Sequence, residues 1–162
     1  MRILGIDPGY AIVGVGLLDY NNISFKTNYI GVITTPSKTD FSLRLEIIYN
    51  SMIDIIEKYK PDCMSIEKLY FNTNSKTVID VAGARGVILL AARQKGLPIF
   101  QYTPLQVKQA VTGYGNAEKK QVMELTRRLL GLKSIPKPDD AADALALAIC
   151  HAHSSGSMFF RR

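Results

Sequence analysis

The chain opens on a short apolar run, Ile3-Leu4-Gly5-Ile6, that stops at Asp7. The next apolar run, residues 10–19, is dense in β-branched side chains, and a third, Ile23 to Thr34, follows an Asn21-Asn22 turn. Runs of this length with short connections predict three strands in an antiparallel meander. Beyond residue 40 the period changes: Leu43, Leu45, Ile47, Ile48, Met52, Ile55 and Ile56 recur at helical spacing until Pro61 stops the helix. Cys63-Met64-Ser65-Ile66-Glu67 reads as a buried fourth strand. A polar stretch, Asn72 to Lys76, separates it from a long helix over about Thr77 to Lys95, and Pro98 to Tyr102 supplies a fifth strand. Two further helices surround Gly113-Tyr114-Gly115, and Pro136 and Pro138 introduce a last one, Asp139 to about Ser154. The pattern is α/β: one mixed sheet covered by helices, a single domain over residues 1–154, with a mobile tail expected over 155–162.

Composition narrows the class. An apolar content of 47% over 162 residues is that of one globular domain with a filled core. The longest C-terminal apolar run, Ala141 to Cys150, is too short to span a bilayer and contains Asp143, so no membrane association is expected. The N-terminus shows no secretory h-region, and Cys63 and Cys150 sit in apolar settings that read as buried free thiols. A cytoplasmic location is the expectation. Charge is more telling. Residues 1–60 carry six Lys/Arg and six Asp/Glu, whereas residues 61–162 carry fourteen and eight, so the whole excess of +6 lies in the second part. A one-sided basic excess points to a polyanionic partner.

Four acids then stand where folding alone would not put them. Asp7 and Glu67 each end an apolar strand, and Asp140 and Asp143 share one face of an Ala/Leu-rich helix. Singly, most have ordinary explanations: Asp7 can cap the Pro8-Gly9 turn, Glu67 can be a plain strand end, and Asp140 suits a helix N-terminus. Asp143, flanked by Ala141, Ala142, Ala144 and Leu145, does not, because an unpaired carboxylate there is costly. Together the four predict a cluster of oxygen ligands for hard cations such as Mg²⁺ or Mn²⁺, which suits in-line phosphodiester hydrolysis. His151 and His153, two to three turns beyond Asp143, read as surface or helix-end residues rather than ligands.

With those residues in view, the chain resembles the RuvC-type Holliday junction resolvases. The resemblance rests on Ile3-Leu4-Gly5-Ile6-Asp7-Pro8-Gly9, Ile66-Glu67-Lys68-Leu69-Tyr70-Phe71, Gly83-Ala84-Arg85-Gly86, Val107-Lys108-Gln109, Ala117-Glu118-Lys119 and Asp140-Ala141-Ala142-Asp143-Ala144-Leu145-Ala146. It implies a ribonuclease-H-like mixed five-stranded sheet flanked by helices. It also implies a homodimer acting on four-way junction DNA with two Mg²⁺ per subunit (Mn²⁺ substituting), and a branch-migration helicase complex as partner. The expected chemistry is paired symmetric nicks that leave 5′-phosphate and 3′-hydroxyl ends. The family's catalytic, metal-holding acids fall on Asp7, Glu67, Asp140 and Asp143, and its DNA-contacting lysines on Lys108 and Lys119, which as residues alone read as solvated surface lysines. The family aromatic aligns with Tyr70, with Phe71 beside it; either ring could stack on an unpaired base or be a core residue. Gly83 and Gly86, each costing about 1 kcal/mol relative to Ala in a helix, allow a close backbone approach, from the chain's own sheet or from a second subunit.

Three rivals are set against this reading. An actin-like ATPase or sugar kinase shares an Asp-x-Gly turn but needs two such domains. A related nuclease could act on RNA. A non-catalytic basic module would leave the four acids unexplained.

Overall fold

The computed structural model describes residues 1–68 and 77–158, with the side chains of 156–158 left aside. Ten elements follow in order: β1 (Arg2–Asp7), β2 (Ile12–Tyr20), β3 (Phe25–Thr34), α1 (Phe41–Tyr59), β4 (Cys63–Glu67), α2 (Val78–Gln94), β5 (Ile99–Tyr102), α3 (Pro104–Thr112), α4 (Lys119–Leu129) and α5 (Asp139–Met158). The strands form one sheet in the order β3-β2-β1-β4-β5. β1, β2 and β3 make the expected antiparallel meander, and β4 and β5 are added parallel to β1.

Strand alternation sends successive side chains to opposite faces, and the two faces are covered differently. Leu4 and Ile6 of β1, Val13, Val15 and Leu17 of β2, and Met64 and Ile66 of β4 point towards α1 and α2. There they meet Ile48, Met52 and Ile56, an i, i+4, i+8 stripe of α1, together with Ala84, Ile88, Ala91 and Ala92 of α2. Leu43, expected on that stripe, is instead 51% exposed. Helix α1 starts on Asp40, whose carboxylate accepts the Ser42 N–H at 2.8 Å, and ends on left-handed Lys60 just before Pro61.

The other face carries α5, with α3 and α4 outside it. Glycines floor this face. A Cβ at Gly5 would stand 1.9 Å from the Ala144 carbonyl oxygen, and one at Gly14 would stand 1.9 Å from that of Asp140. Gly16, paired across the ladder with Gly5, would meet Leu145 at 2.7 Å. The backbone of α5 therefore lies directly on the sheet. Ala141, Ala142, Ala144, Ala146 and Ala148 are all buried, and such small side chains are what so close an approach tolerates. Helix α5 runs to Met158, past its expected end near Ser154, so the first four residues of the expected tail are helical. Residues 159–162 lie outside the described residues.

Candidate active site

β1 and β4 run parallel with Ile6 opposite Ile66, so the next residue of each, Asp7 and Glu67, ends its strand beside the other. Alternation places both on the α5 face, in the rows Ile3, Gly5, Asp7 and Cys63, Ser65, Glu67. Asp7 pairs across β2 with Gly14, the glycine on which the Asp140 carbonyl rests. The contact that seats α5 thus also brings its first turns over the end of β1. Two buried side chains tie α5 to the parallel half of the sheet: Ser65 Oγ donates to the Leu147 carbonyl at 2.7 Å, and the Tyr102 hydroxyl lies 2.8 Å from His151 Nδ1.

The result is a cleft of about 190 Å³ that takes Asp7, Glu67 and Asp143 into its wall, with Lys108 of α3 and Lys119 of α4. Val107, Val122 and Leu147 supply part of its apolar lining. Lys119 Nζ lies 2.9 Å from Asp143 Oδ2 and 3.9 Å from Asp139 Oδ2. Asp139 is otherwise engaged by Lys137 at 2.7 Å, in keeping with its place outside the expected acid set.

The acids act on one another. Burial raises the Asp7 pKa most, the negative charges of Asp143, Glu67 and Asp140 raise it further, and Lys119 opposes them, leaving it at about 8. Burial first and Asp143 second also push Glu67 above its ordinary value, again against Lys119. The Lys119 ammonium is held charged more firmly than usual, chiefly by its hydrogen bond to Asp143. A partly dehydrated group of like charges with one ammonium among them gains from any further cation.

Not every expectation is met as stated. Asp140 acts on Asp7 electrostatically but does not line the cleft. Among the described residues, no three His, Cys, Asp or Glu side chains are gathered tightly enough to hold a metal ion unaided. The ammonium at Asp143 is one physical reason. Tyr70 and Phe71 lie outside the described residues. His151 is not a surface residue: it is 2% exposed, its ring stacks on Phe100 at 4.2 Å, and burial lowers its pKa. Burial also lifts the Tyr102 hydroxyl to about 12, so a protonated hydroxyl shares this hydrogen bond with the imidazole. Cys63 and Cys150 are buried free thiols, each pushed up to about 12 by burial.

Sequence reasoning missed Ser65, Tyr102 and His151 as the residues that tie down α5, and Gly5, Gly14 and Gly16 as its seat. The only signal for the glycines was their recurrence in β1 and β2. Among the described residues, no backbone of the same chain approaches Gly83 or Gly86: a Cβ at Gly83 would meet the Phe41 ring at 3.2 Å, and one at Gly86 would meet no described atom within 4 Å.

Comparison with known proteins agrees with this geometry. Residues 3–151 match the family described as "Crossover junction endodeoxyribonuclease RuvC". A protein of that name from Clostridioides difficile is 54% identical over 96% of this chain and 92% of its own length. One from Halothermothrix orenii is 56% identical over 95% and 93%. The fold superposes on Thermus thermophilus RuvC with a TM-score of 0.89 at 31% identity, covering 98% of this chain and 97% of that one. The same protein "in complex with Holliday junction substrate" gives 0.87 at 30% identity, covering 97% and 96%. The chain belongs to the RuvC family of crossover junction endodeoxyribonucleases.

Proposed function

We propose that this protein is a divalent-metal-dependent endonuclease that resolves four-way DNA junctions by paired symmetric nicks, leaving 5′-phosphate and 3′-hydroxyl ends. The observation that carries this reading is the meeting of Asp7, Glu67 and Asp143, from three separate elements, in one cleft with Lys108 and Lys119. Carboxylates alone would repel a phosphate backbone. An all-oxygen donor set suits Mg²⁺ or Mn²⁺, ions that take a few carboxylates and complete their shell with water and substrate phosphate. The raised pKa values of Asp7 and Glu67 support the fit, because a cation relieves the repulsion that raises them. Two such ions per subunit would supply an activated water and stabilise the leaving 3′-oxygen.

The chain's own residues do the rest. Asp7, Glu67 and Asp143 would hold the ions, and Asp140 would add negative potential from the same helix. Lys119 neutralises Asp143 until substrate enters, then is free to meet a phosphate oxygen, and Lys108 brings a second positive charge from α3. Tyr70 or Phe71, in the segment just after Glu67, contacts the unpaired bases at the junction centre.

Pairing of the nicks requires two sites related by a two-fold axis, hence a homodimer. Helix α2 supports this: Ile79 is 82% exposed and Leu90 51% exposed, and no described atom lies within 4 Å of a Cβ placed on Gly86 between them. Among the described residues no helix is long and apolar enough to cross a membrane; the proposed setting is cytoplasmic DNA delivered by a branch-migration helicase.

The test is cleavage of labelled four-way junction, linear duplex and RNA–DNA hybrid in Mg²⁺, by wild type and Asp7→Asn. Symmetric nicks in the junction alone, with Asp7→Asn binding but not cutting, are the expected result. Preferential cutting of the hybrid, or full activity of Asp7→Asn, would overturn the proposal.

A further inference from the structure

Arg85 is the most conspicuous charge that the proposed chemistry does not use. It lies in the second turn of α2 and reaches the ends of the parallel strands, where Nε donates to the Glu67 carbonyl at 3.2 Å and Nη2 donates to Gln101 Oε1. Both acceptors are neutral. Among the described residues no carboxylate lies within ion-pairing distance of it, and residues 69–76 contain no Asp or Glu. Arg2 is neutralised by Asp19 and Arg127 by Glu124, and the more deeply buried Arg44 rests on the Thr35 hydroxyl and the Tyr10 ring. Among the described residues Arg85 has neither a carboxylate nor an aromatic face, and it stands at the strand end beside Glu67.

A half-buried cation held by two neutral oxygens is a cost to the fold unless something anionic completes it. A guanidinium has five N–H donors, and two are engaged among the described residues. The two contacts fix its plane, leaving the remaining fork edge preorganised for a tetrahedral or planar oxyanion. It sits on the α2 face of the strand end whose other face sends Glu67 into the cleft.

We propose that Arg85 binds a backbone phosphate of the DNA substrate, at a contact separate from the Lys108 and Lys119 side of the cleft. This deepens the junction-cleavage reading and rests on it. DNA is the favoured occupant because the anion must arrive beside Glu67, where that reading places the substrate.

The experiment measures binding to a fluorescent four-way junction without divalent ion, across a series of KCl concentrations, for wild type, Arg85→Gln and Arg85→Lys. Each phosphate contact contributes about 0.9 to the slope of log affinity against log salt concentration on duplex DNA. Arg85→Gln should lower affinity about 5- to 10-fold at the lowest salt and reduce the slope by about one contact. Arg85→Lys should keep the slope and lose less affinity, because it preserves the charge but not the fork. Thermal denaturation and sedimentation of all three proteins accompany the titrations.

An unchanged slope in Arg85→Gln with slower cleavage in Mg²⁺ would make Arg85 only a clamp on Glu67 and overturn the phosphate assignment. Dissociation of an otherwise folded dimer in Arg85→Gln would place the guanidinium between subunits and overturn it as well. Failure of wild type to bind junctions would instead sink the junction-cleavage reading itself.

Discussion

The two faces of the sheet are built on opposite terms. Towards α1 and α2, branched and long side chains interdigitate: Leu4, Ile6 and Ile66 against Ile48, Met52 and Ile88. Towards α5, glycines bring backbone against backbone. The first face tolerates exchange of one aliphatic residue for another, because a side-chain layer can readjust its rotamers. The second has no such slack, since its nearest atoms are carbonyl oxygens of the helix that carries Asp140 and Asp143. Stability is spread over the first face, and positional precision is concentrated in the second.

The sharpest break of this contrast is a methyl group added to the glycine floor. Gly14→Ala puts a Cβ 1.9 Å from the Asp140 carbonyl oxygen and must lift the start of α5. The expected cost is about 3 kcal/mol in urea unfolding, with a loss of junction cleavage on the order of 100-fold from the misplaced acids. The counterpart on the other face, Ile48→Val, should cost about 1 kcal/mol and leave cleavage unchanged. Equal effects of the two substitutions on cleavage would erase the distinction.

Next in size is the trade between stability and chemistry at Asp7. Its folded pKa of about 8 lies above the unfolded value near 3.8, so the folded protein binds the extra proton between those limits. The stability that accompanies this protonation is fully present below about pH 4, declines as pH rises, and is gone above about 8. Asp7→Asn never ionises. Without metal it should therefore gain on wild type progressively from pH 4 to pH 8, reaching a few kcal/mol, or roughly 2–4 °C in Tm for each kcal/mol. Melting curves at pH 5 and pH 8 check this. A variant less stable than wild type at pH 8 would show that the acids are not mutually strained.

The smallest effect sharpens the contrast from within the α5 face. Tyr102→Phe leaves the buried His151 Nδ1 without its hydrogen-bond partner and should cost about 1–2 kcal/mol. It should slow cleavage only a few-fold, because Ser65 still holds α5 at Leu147. Full activity of Tyr102→Phe together with loss in Ser65→Ala would assign the tether to Ser65 alone.

The sheet and its acids were legible because the same feature announced both. An apolar run that closes on an acid is a strand that ends in a functional group, and parallel register set the ends of β1 and β4 side by side. What seats α5 was not legible. A glycine in a strand reads equally as a bulge, a bend or a close approach, and only the crossing of α5 over Gly5 and Gly14 decides among them. His151 escaped for a similar reason: its partner Tyr102 lies 49 residues away, and nothing local marks a helical histidine as buried. Lys119 is the exposed lysine that residue type suggests, but its ion pair with Asp143, 24 residues away, was not legible. Residue type and spacing pointed to the acids Asp7, Glu67 and Asp143 that share the cleft, but not to the Lys119 ammonium paired with Asp143.

The most direct test of the account is Mn²⁺ binding followed by electron paramagnetic resonance, in wild type and in Asp7→Asn, Glu67→Gln and Asp143→Asn. If the three carboxylates form one ion-holding centre, each single substitution weakens Mn²⁺ binding about 10-fold or more, on the scale of lost metal ligation. Undiminished binding in any one of the three would contradict it.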